Sequence, residues 1–191
     1  MTTTTRTLTI DDLMRLGSDA RVEVQNGELI EMTPVGGLHS LIAKNILQRL
    51  DTHVQAQRSG IVFTDGFLYV LSITEEGVRK ARVPDVSFVR KADIPADWDI
   101  EQPFPGAPTL AVEVMSPDDL FEDVVQKVHE YFEAGTQEVW VVLPRQQSLY
   151  RYHQRGSQVA VYHSTDTLDV GELFPGLSLP LAEIFVLPDL G

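Results

Sequence analysis

Cysteine is absent from the 191 residues. That removes disulfides, thiolate metal sites and a cysteine nucleophile together. Long apolar runs are absent too: none approaches the roughly 20 residues of a membrane span. The start, Met1-Thr2-Thr3-Thr4-Thr5-Arg6, lacks the apolar core of a signal peptide, so the expected location is cytoplasmic. Positive charge is scarce, with 15 Lys and Arg against 28 Asp and Glu, a net charge of −13. Proteins that hold nucleic acid by bulk electrostatics draw their affinity from Lys and Arg. The balance therefore counts against that class, while leaving room for an enzyme that meets DNA through a local patch or a bound cation. There is no internal repeat, no low-complexity core and no linker. Residues 1–8 read as a flexible Thr-rich tail and 9–191 as a single domain.

What is present is an ordinary globular balance, 43% apolar and 23% charged, with clear local signals. Thr9 is placed to cap a short helix from Ile10 to Leu16, with Asp11 and Asp12 in its first turn. Asn26-Gly27 lies between two alternating segments, Val22–Gln25 and Glu28–Met32, and predicts a hairpin, because both central residues of a type I′ turn need positive φ. Leu38 to Gln57 predicts a helix whose buried stripe carries His39, Ile42, Ala43, Ile46, Leu50 and Val54. Ile61–Leu71 reads as a strand broken or bent at Gly66, and Arg79–Val89 as its return. Residues 90–107, with Pro95, Pro103 and Pro105, read as a long surface loop. Leu110–Met115 is a buried strand. Ser116-Pro117-Asp118-Asp119 ends it and offers capping oxygens to a helix from Leu120 to Ala134, which Gly135 terminates. Val139–Leu143 is apolar enough to be buried on both faces. A second hairpin turns around Arg155-Gly156-Ser157, and the tail from Gly171 to Leu187 packs back on the core. This order specifies an α/β (α+β) fold, a mixed β-sheet flanked by helices with an N-terminal and a C-terminal hairpin.

The chemistry concentrates in two apolar strands that each carry one carboxylate. These are Val83-Pro84-Asp85-Val86-Ser87-Phe88-Val89 and Leu110-Ala111-Val112-Glu113-Val114-Met115. A carboxylate in an apolar strand is costly unless it is paired, hydrogen-bonded or bound to a metal. Alternation sets Glu113 with Ala111 and Met115, opposite Leu110, Val112 and Val114. If the two strands are neighbours, Asp85 and Glu113 converge. Two carboxylates with carbonyl and water oxygens suit Mg2+ or Mn2+, and such an ion can activate water and stabilise charge on a phosphoryl group. The plainer alternatives are that Asp85 is a turn residue after Pro84, that Glu113 pairs with Arg79, Arg82 or Lys127, and that His39 is a core histidine bonded to a carbonyl.

A longer series of segments carries a resemblance. It comprises Asn26-Gly27-Glu28-Leu29-Ile30-Glu31-Met32-Thr33-Pro34 followed by His39, then Val83–Val89, then Val112-Glu113-Val114-Met115-Ser116-Pro117. Lys127, Tyr131, Ala134-Gly135, Glu138-Val139-Trp140 and Phe174-Pro175-Gly176-Leu177 continue it. In this order and spacing, from about Val22 to Phe185, the chain resembles the Uma-type family of proposed restriction endonucleases, a branch of the PD-(D/E)XK nuclease superfamily. The resemblance implies a restriction-endonuclease-like core in which Asp85 and Glu113 bind a divalent metal, with the Val114 carbonyl as a further ligand. The superfamily lysine would stand at Met115. In this family it has moved to the following helix, which points to Lys127 as the residue that orients the attacking water. Glu31, His39 and Tyr131 join the site by the same resemblance, Tyr131 lying one helical turn from Lys127. Without it, Lys127 reads as a solvated lysine paired with Asp123 or Glu130. Leu143-Pro144 departs from the family's Asp-Pro.

The expectation is thus a divalent-metal-dependent nuclease acting on DNA. The alternative is a non-catalytic interaction or regulatory protein on a nuclease-like fold, motivated by the acids crowded between Glu113 and Glu138. A third reading, a hydrolase of a small phosphorylated substrate, has only Gly36-Gly37 as a weak phosphate loop. A homodimer through the C-terminal hairpin and apolar tail is expected on general grounds.

Overall fold

A computed structural model describes residues 7–17, 20–155 and 159–189. Residues 1–6 of the expected tail, and Gly156 and Ser157 of the expected second turn, lie outside the described residues. Leu8 already belongs to the fold, in a bridge to Gly77.

The N-terminal half forms as its local chemistry dictates. Helix α1 (Ile10–Arg15) opens with a capping box between Thr9 and Asp12, a device worth about 1 kcal/mol. Strands β1 (Val22–Gln25) and β2 (Glu28–Glu31) pair around Asn26 (φ 53°) and Gly27 (φ 84°). Helix α2 (Gly37–Gln57) buries His39, Ile42, Ile46, Leu50 and Val54. The segment Ile61–Leu71, expected to be broken or bent at Gly66, is broken there into two strands, β3 (Gly60–Thr64) and β4 (Tyr69–Thr74). The expected return strand also divides, into β5 (Gly77–Arg82) and β6 (Val86–Arg90). The first and last of these four pair in one sheet, the middle two in another. The breaks fall at Gly66, with φ 99°, and at Val83-Pro84-Asp85, where Pro84 has no N–H and the Val83 N–H donates to the Glu23 carboxylate rather than to a strand.

The smaller sheet has the order β2-β1-β5-β4. The larger has β10-β9-β8-β7-β6-β3, built with β7 (Leu110–Val114), β8 (Glu138–Leu143), β9 (Ser148–His153) and β10 (Val159–His163). Its one parallel pair, β7 with β8, is joined by helix α3 (Phe121–Ala134), which ends at Gly135 in the left-handed region (φ 109°). Ser116–Asp119 do not cap that helix. Its N-cap is Leu120, without a side-chain bond, and the Asp119 carboxylate instead accepts from the Ser116 N–H. Residues 90–107 are less of a surface loop than expected: Phe104 is buried, bridges to Tyr69 and stacks among Tyr69 and Trp98.

Alternation on β7 and β8 creates two cores. Leu110, Val112, Val114, Trp140 and Val142 meet α2 on one face, while Ala111, Val139 and Val141 meet Val124, Val128 and Tyr131 of α3 on the other. The C-terminal segment completes the first core with β11 (Thr167–Asp169), β12 (Ser178–Pro180) and α4 (Leu181–Ile184), burying Leu173, Phe174 and Phe185. Among the described residues no helix is long and apolar enough to cross a membrane.

Candidate active site

Strand β6 pairs antiparallel with β7 in the register Val86↔Val112. Continuing by one residue sets Asp85 opposite Glu113. The two carboxylates therefore converge as the sequence suggests, at the end of β7 where its parallel pairing with β8 also finishes. In open α/β sheets such strand ends are where ligands gather.

Each acid is held by a different element. One Asp85 oxygen accepts from the Val114 N–H at 2.7 Å and faces His39 Nε2 at 3.1 Å. Asp85 is thus fixed by β7 and by the first turn of α2, and is more than a turn residue behind Pro84. Burial alone lowers the pKa of His39, but the hydrogen bond and charge of Asp85 outweigh it and raise it. His39 is therefore a buried histidine bonded to a carboxylate, not to a backbone carbonyl. Glu113 accepts from the Tyr131 hydroxyl at 2.7 Å and lies 3.6 Å from Lys127 Nζ. Burial pushes its carboxyl up to about 7; Lys127 pulls the other way, while the charges of Asp85 and Glu23 push it further up.

Lys127 is not a solvated helix lysine paired along its own helix. Its ammonium donates to Glu23 Oε1 at 3.0 Å, and the side chain is 23% exposed. Burial lowers its pKa, but the charges of Glu113 and Glu23 outweigh that and hold it well above the usual lysine range. Tyr131, one turn along and fully buried, is held mainly by burial far above the ordinary phenol range, so it remains a hydroxyl donor.

Glu23, on β1, is the residue that sequence reasoning missed. It is 4% exposed and accepts from Lys127, from Arg82 Nη1 at 2.8 Å and from the Val83 N–H at 3.2 Å. Arg82 also reaches Glu130 at 2.6 and 2.8 Å. This network ties the small sheet to α3 and fixes the position of Lys127. The available signal was Val22-Glu23-Val24, an acid flanked by valines, but in a hairpin it reads as one polar face among others.

These groups line a cavity of about 290 Å3 whose wall includes Glu23, Glu31, His39, Asp85, Glu113 and Lys127. Val114 lines it as well, whereas Tyr131 lies beneath, behind Glu113. Glu31 is exposed and sits on the rim. The donor set fits a hard divalent cation. It consists of carboxylate oxygens, one Asp85 oxygen bears no side-chain or amide bond among the described residues, and Glu113 carries acid-raising repulsion that a cation would relieve.

A second group has metal-like spacing: ligand atoms of Glu138, His153 and Glu172 lie within 4.8 Å of one another. Both Glu138 oxygens already accept from Arg151, at 2.6 and 2.8 Å, and one also takes the Trp140 N–H. That cluster is a buried ion pair first.

The chain matches the model of the Uma2 family, described as "putative restriction endonuclease", over residues 10–182. Its fold is similar to a crystal structure described as "a putative nuclease belonging to DUF820" from Anabaena variabilis. The TM-score is 0.73 at 23% identity, over 93% of this chain and 97% of that one. No curated protein matches.

Proposed function

The chain belongs to the Uma2 family, and from that premise we propose that it is a Mg2+- or Mn2+-dependent phosphodiesterase acting on DNA. The observation that carries the reading is the meeting of Asp85 and Glu113 across β6 and β7, beside a lysine held between Glu113 and Glu23. Asp85, Glu113 and the Val114 carbonyl would hold the ion. Such an ion polarises the phosphodiester and lowers the pKa of a bound water. The protein's own groups do the rest. The Val114 N–H and His39 fix the Asp85 carboxylate, and Tyr131 fixes that of Glu113. Lys127 is placed to orient the attacking water and to donate to charge developing on the phosphate oxygens. Water adds to phosphorus, one P–O ester bond breaks, and the proton passes to the leaving oxygen. Glu31 on the rim is available to that water.

The test is cleavage of DNA in the presence of Mn2+ or Mg2+. Asp85→Ala should lower the rate on the order of a thousandfold, the scale of losing several kcal/mol of metal-based stabilisation. Absence of cleavage by the wild type with either metal would sink the reading. A second reading, a non-catalytic protein on this fold, is favoured by the net charge of −13 and by Asp118, Asp119 and Asp123 beside the cavity. It predicts no cleavage and no change in Mn2+ binding by calorimetry on Glu113→Ala.

A further inference from the structure

A second cavity, of about 430 Å3, adjoins the first and shares His39, Ser116 and Asp119 with it. It lies between the first turn of α2 and the segments that follow β7 and β8. Its volume falls within the roughly 300–1,000 Å3 of small-molecule clefts. Its walls differ in kind from those of the carboxylate cavity. Leu38, Met115, Pro117, Leu143 and Pro144 give them apolar surface, and Arg145 and Gln146 add hydrogen-bonding groups to those of the shared His39, Ser116 and Asp119. Apolar walls with a few polar groups suit a flat heterocycle, sandwiched by its faces and read at its edge. The Gln146 amide offers both donor and acceptor, and the Arg145 guanidinium offers donors alone.

The charge distribution decides how a nucleic acid would have to bind here. Along both cavities the full cations are Lys127 and Arg145, and Lys127 is engaged by Glu23 and Glu113. Glu23, Glu31, Asp85, Glu113, Asp119 and Asp123 oppose them. A duplex is held chiefly by rows of Lys and Arg against its phosphates, and no such row is present on these walls. Affinity has to come from a base instead, and a base offers its faces only when it is out of the stack.

We propose that this slot takes an unpaired nucleobase next to the scissile phosphodiester, so that the substrate is single-stranded or locally unpaired DNA rather than continuous duplex. The proposal rests on the phosphodiesterase reading of the adjoining cavity. The discriminating variant is Gln146→Trp, which adds bulk at an exposed turn position that lines the slot but not the carboxylate cavity. Wild type and variant are compared with Mn2+ on a thymidine oligonucleotide, on the same strand fully paired, and on the same strand carrying one abasic residue. The wild type should cut the single strand roughly tenfold or more faster than the duplex, the scale of burying about 60 Å2 of base face against aliphatic side chains. The abasic strand and Gln146→Trp should each lose that advantage, with Mn2+ affinity and melting temperature unchanged in the variant. Equal cutting of all three substrates, indifferent to Gln146→Trp, overturns the slot and leaves the phosphodiesterase reading standing. If nothing is cut, that reading fails, and the slot is judged by amide chemical shifts in Asp85→Ala on adding the thymidine oligonucleotide. Shifts at Leu38 and Leu143 that vanish in Gln146→Trp retain it as a nucleotide site, and their absence overturns it.

Discussion

At the start of β8, Glu138 is buried with Arg151 gripping both its oxygens and Trp140 adding a third hydrogen bond. At the far end of the same parallel pair, Glu113 is also buried, yet it receives one hydroxyl and a lysine at 3.6 Å shared with Glu23. Both are carboxylates in apolar strands. The first is balanced by a planar, bidentate cation. The second stands in a group of four carboxylates, Glu23, Asp85, Glu113 and Glu130, that face Arg82, Lys127 and His39. Buried charge that is matched holds a fold together. Charge left in excess, open to a cavity, has free energy to gain from a cation. Perturbed acids in clefts mark functional sites for this reason.

The largest expected effect is at the balanced end. Arg151→Met strands the Glu138 carboxylate and should cost about 3–5 kcal/mol of stability by urea unfolding. A loss under 1 kcal/mol would mean that the pair is not closed and that its neighbour His153 matters more than the geometry indicates. Next comes Tyr131→Phe, which removes the hydroxyl from Glu113. It should weaken Mn2+ binding about 10- to 100-fold by calorimetry, the usual cost of losing an outer partner of a metal ligand. Unchanged affinity would separate Glu113 from the metal. The smallest effect is the pH dependence of the metal-free protein. Glu113, with an ordinary value of 4.5, is raised to about 7 by burial in the folded state. The folded protein therefore binds this proton more tightly than the unfolded chain. Its contribution to stability is fully present below about 4.5, is lost as pH rises to about 7, and is flat above. The melting temperature of wild type relative to Glu113→Gln should fall across that window in EDTA, and should cease to fall when Mn2+ displaces the proton. Parallel curves in EDTA would contradict the uncompensated burial of Glu113.

Much of this was legible in the residues, because much of it is local. Asn26-Gly27 dictates a hairpin, the stripe from His39 to Val54 dictates a buried helix face, and Gly135 ends α3. Even the meeting of Asp85 and Glu113 follows from two apolar strands each interrupted by one acid. What escaped depends on contacts between distant elements. Gly66 marks a break or bend in Ile61–Leu71, but nothing near it reveals that the chain passes from one sheet to another there. Arg79–Val89 conceals the same crossing at Pro84. Glu23 looks like any polar residue of a hairpin, since its burial comes from Arg82 and from Lys127 on a helix formed a hundred residues later. Lys127 and Tyr131 came into the site through the family resemblance, since Lys127 by its local pattern reads as a solvated lysine, and the grip of Glu23 on Lys127 has no counterpart in local pattern.

The bond between Glu23 and Lys127 spans 104 residues, and that separation has a bearing on synthesis. A chain is made from its N-terminus, and contacts of long sequence separation carry a high closure entropy before they are rewarded. β1 is thus made and exposed long before α3 exists to receive it. The lysine is locked beside Glu113 only when the small sheet docks against a completed α3. A chain interrupted before residue 127 has Asp85 with its His39, but Glu113 without the lysine that lies beside it. By this arrangement, the cavity lined by Asp85, Glu113 and Lys127 is assembled only once α3 is in place, not ahead of it.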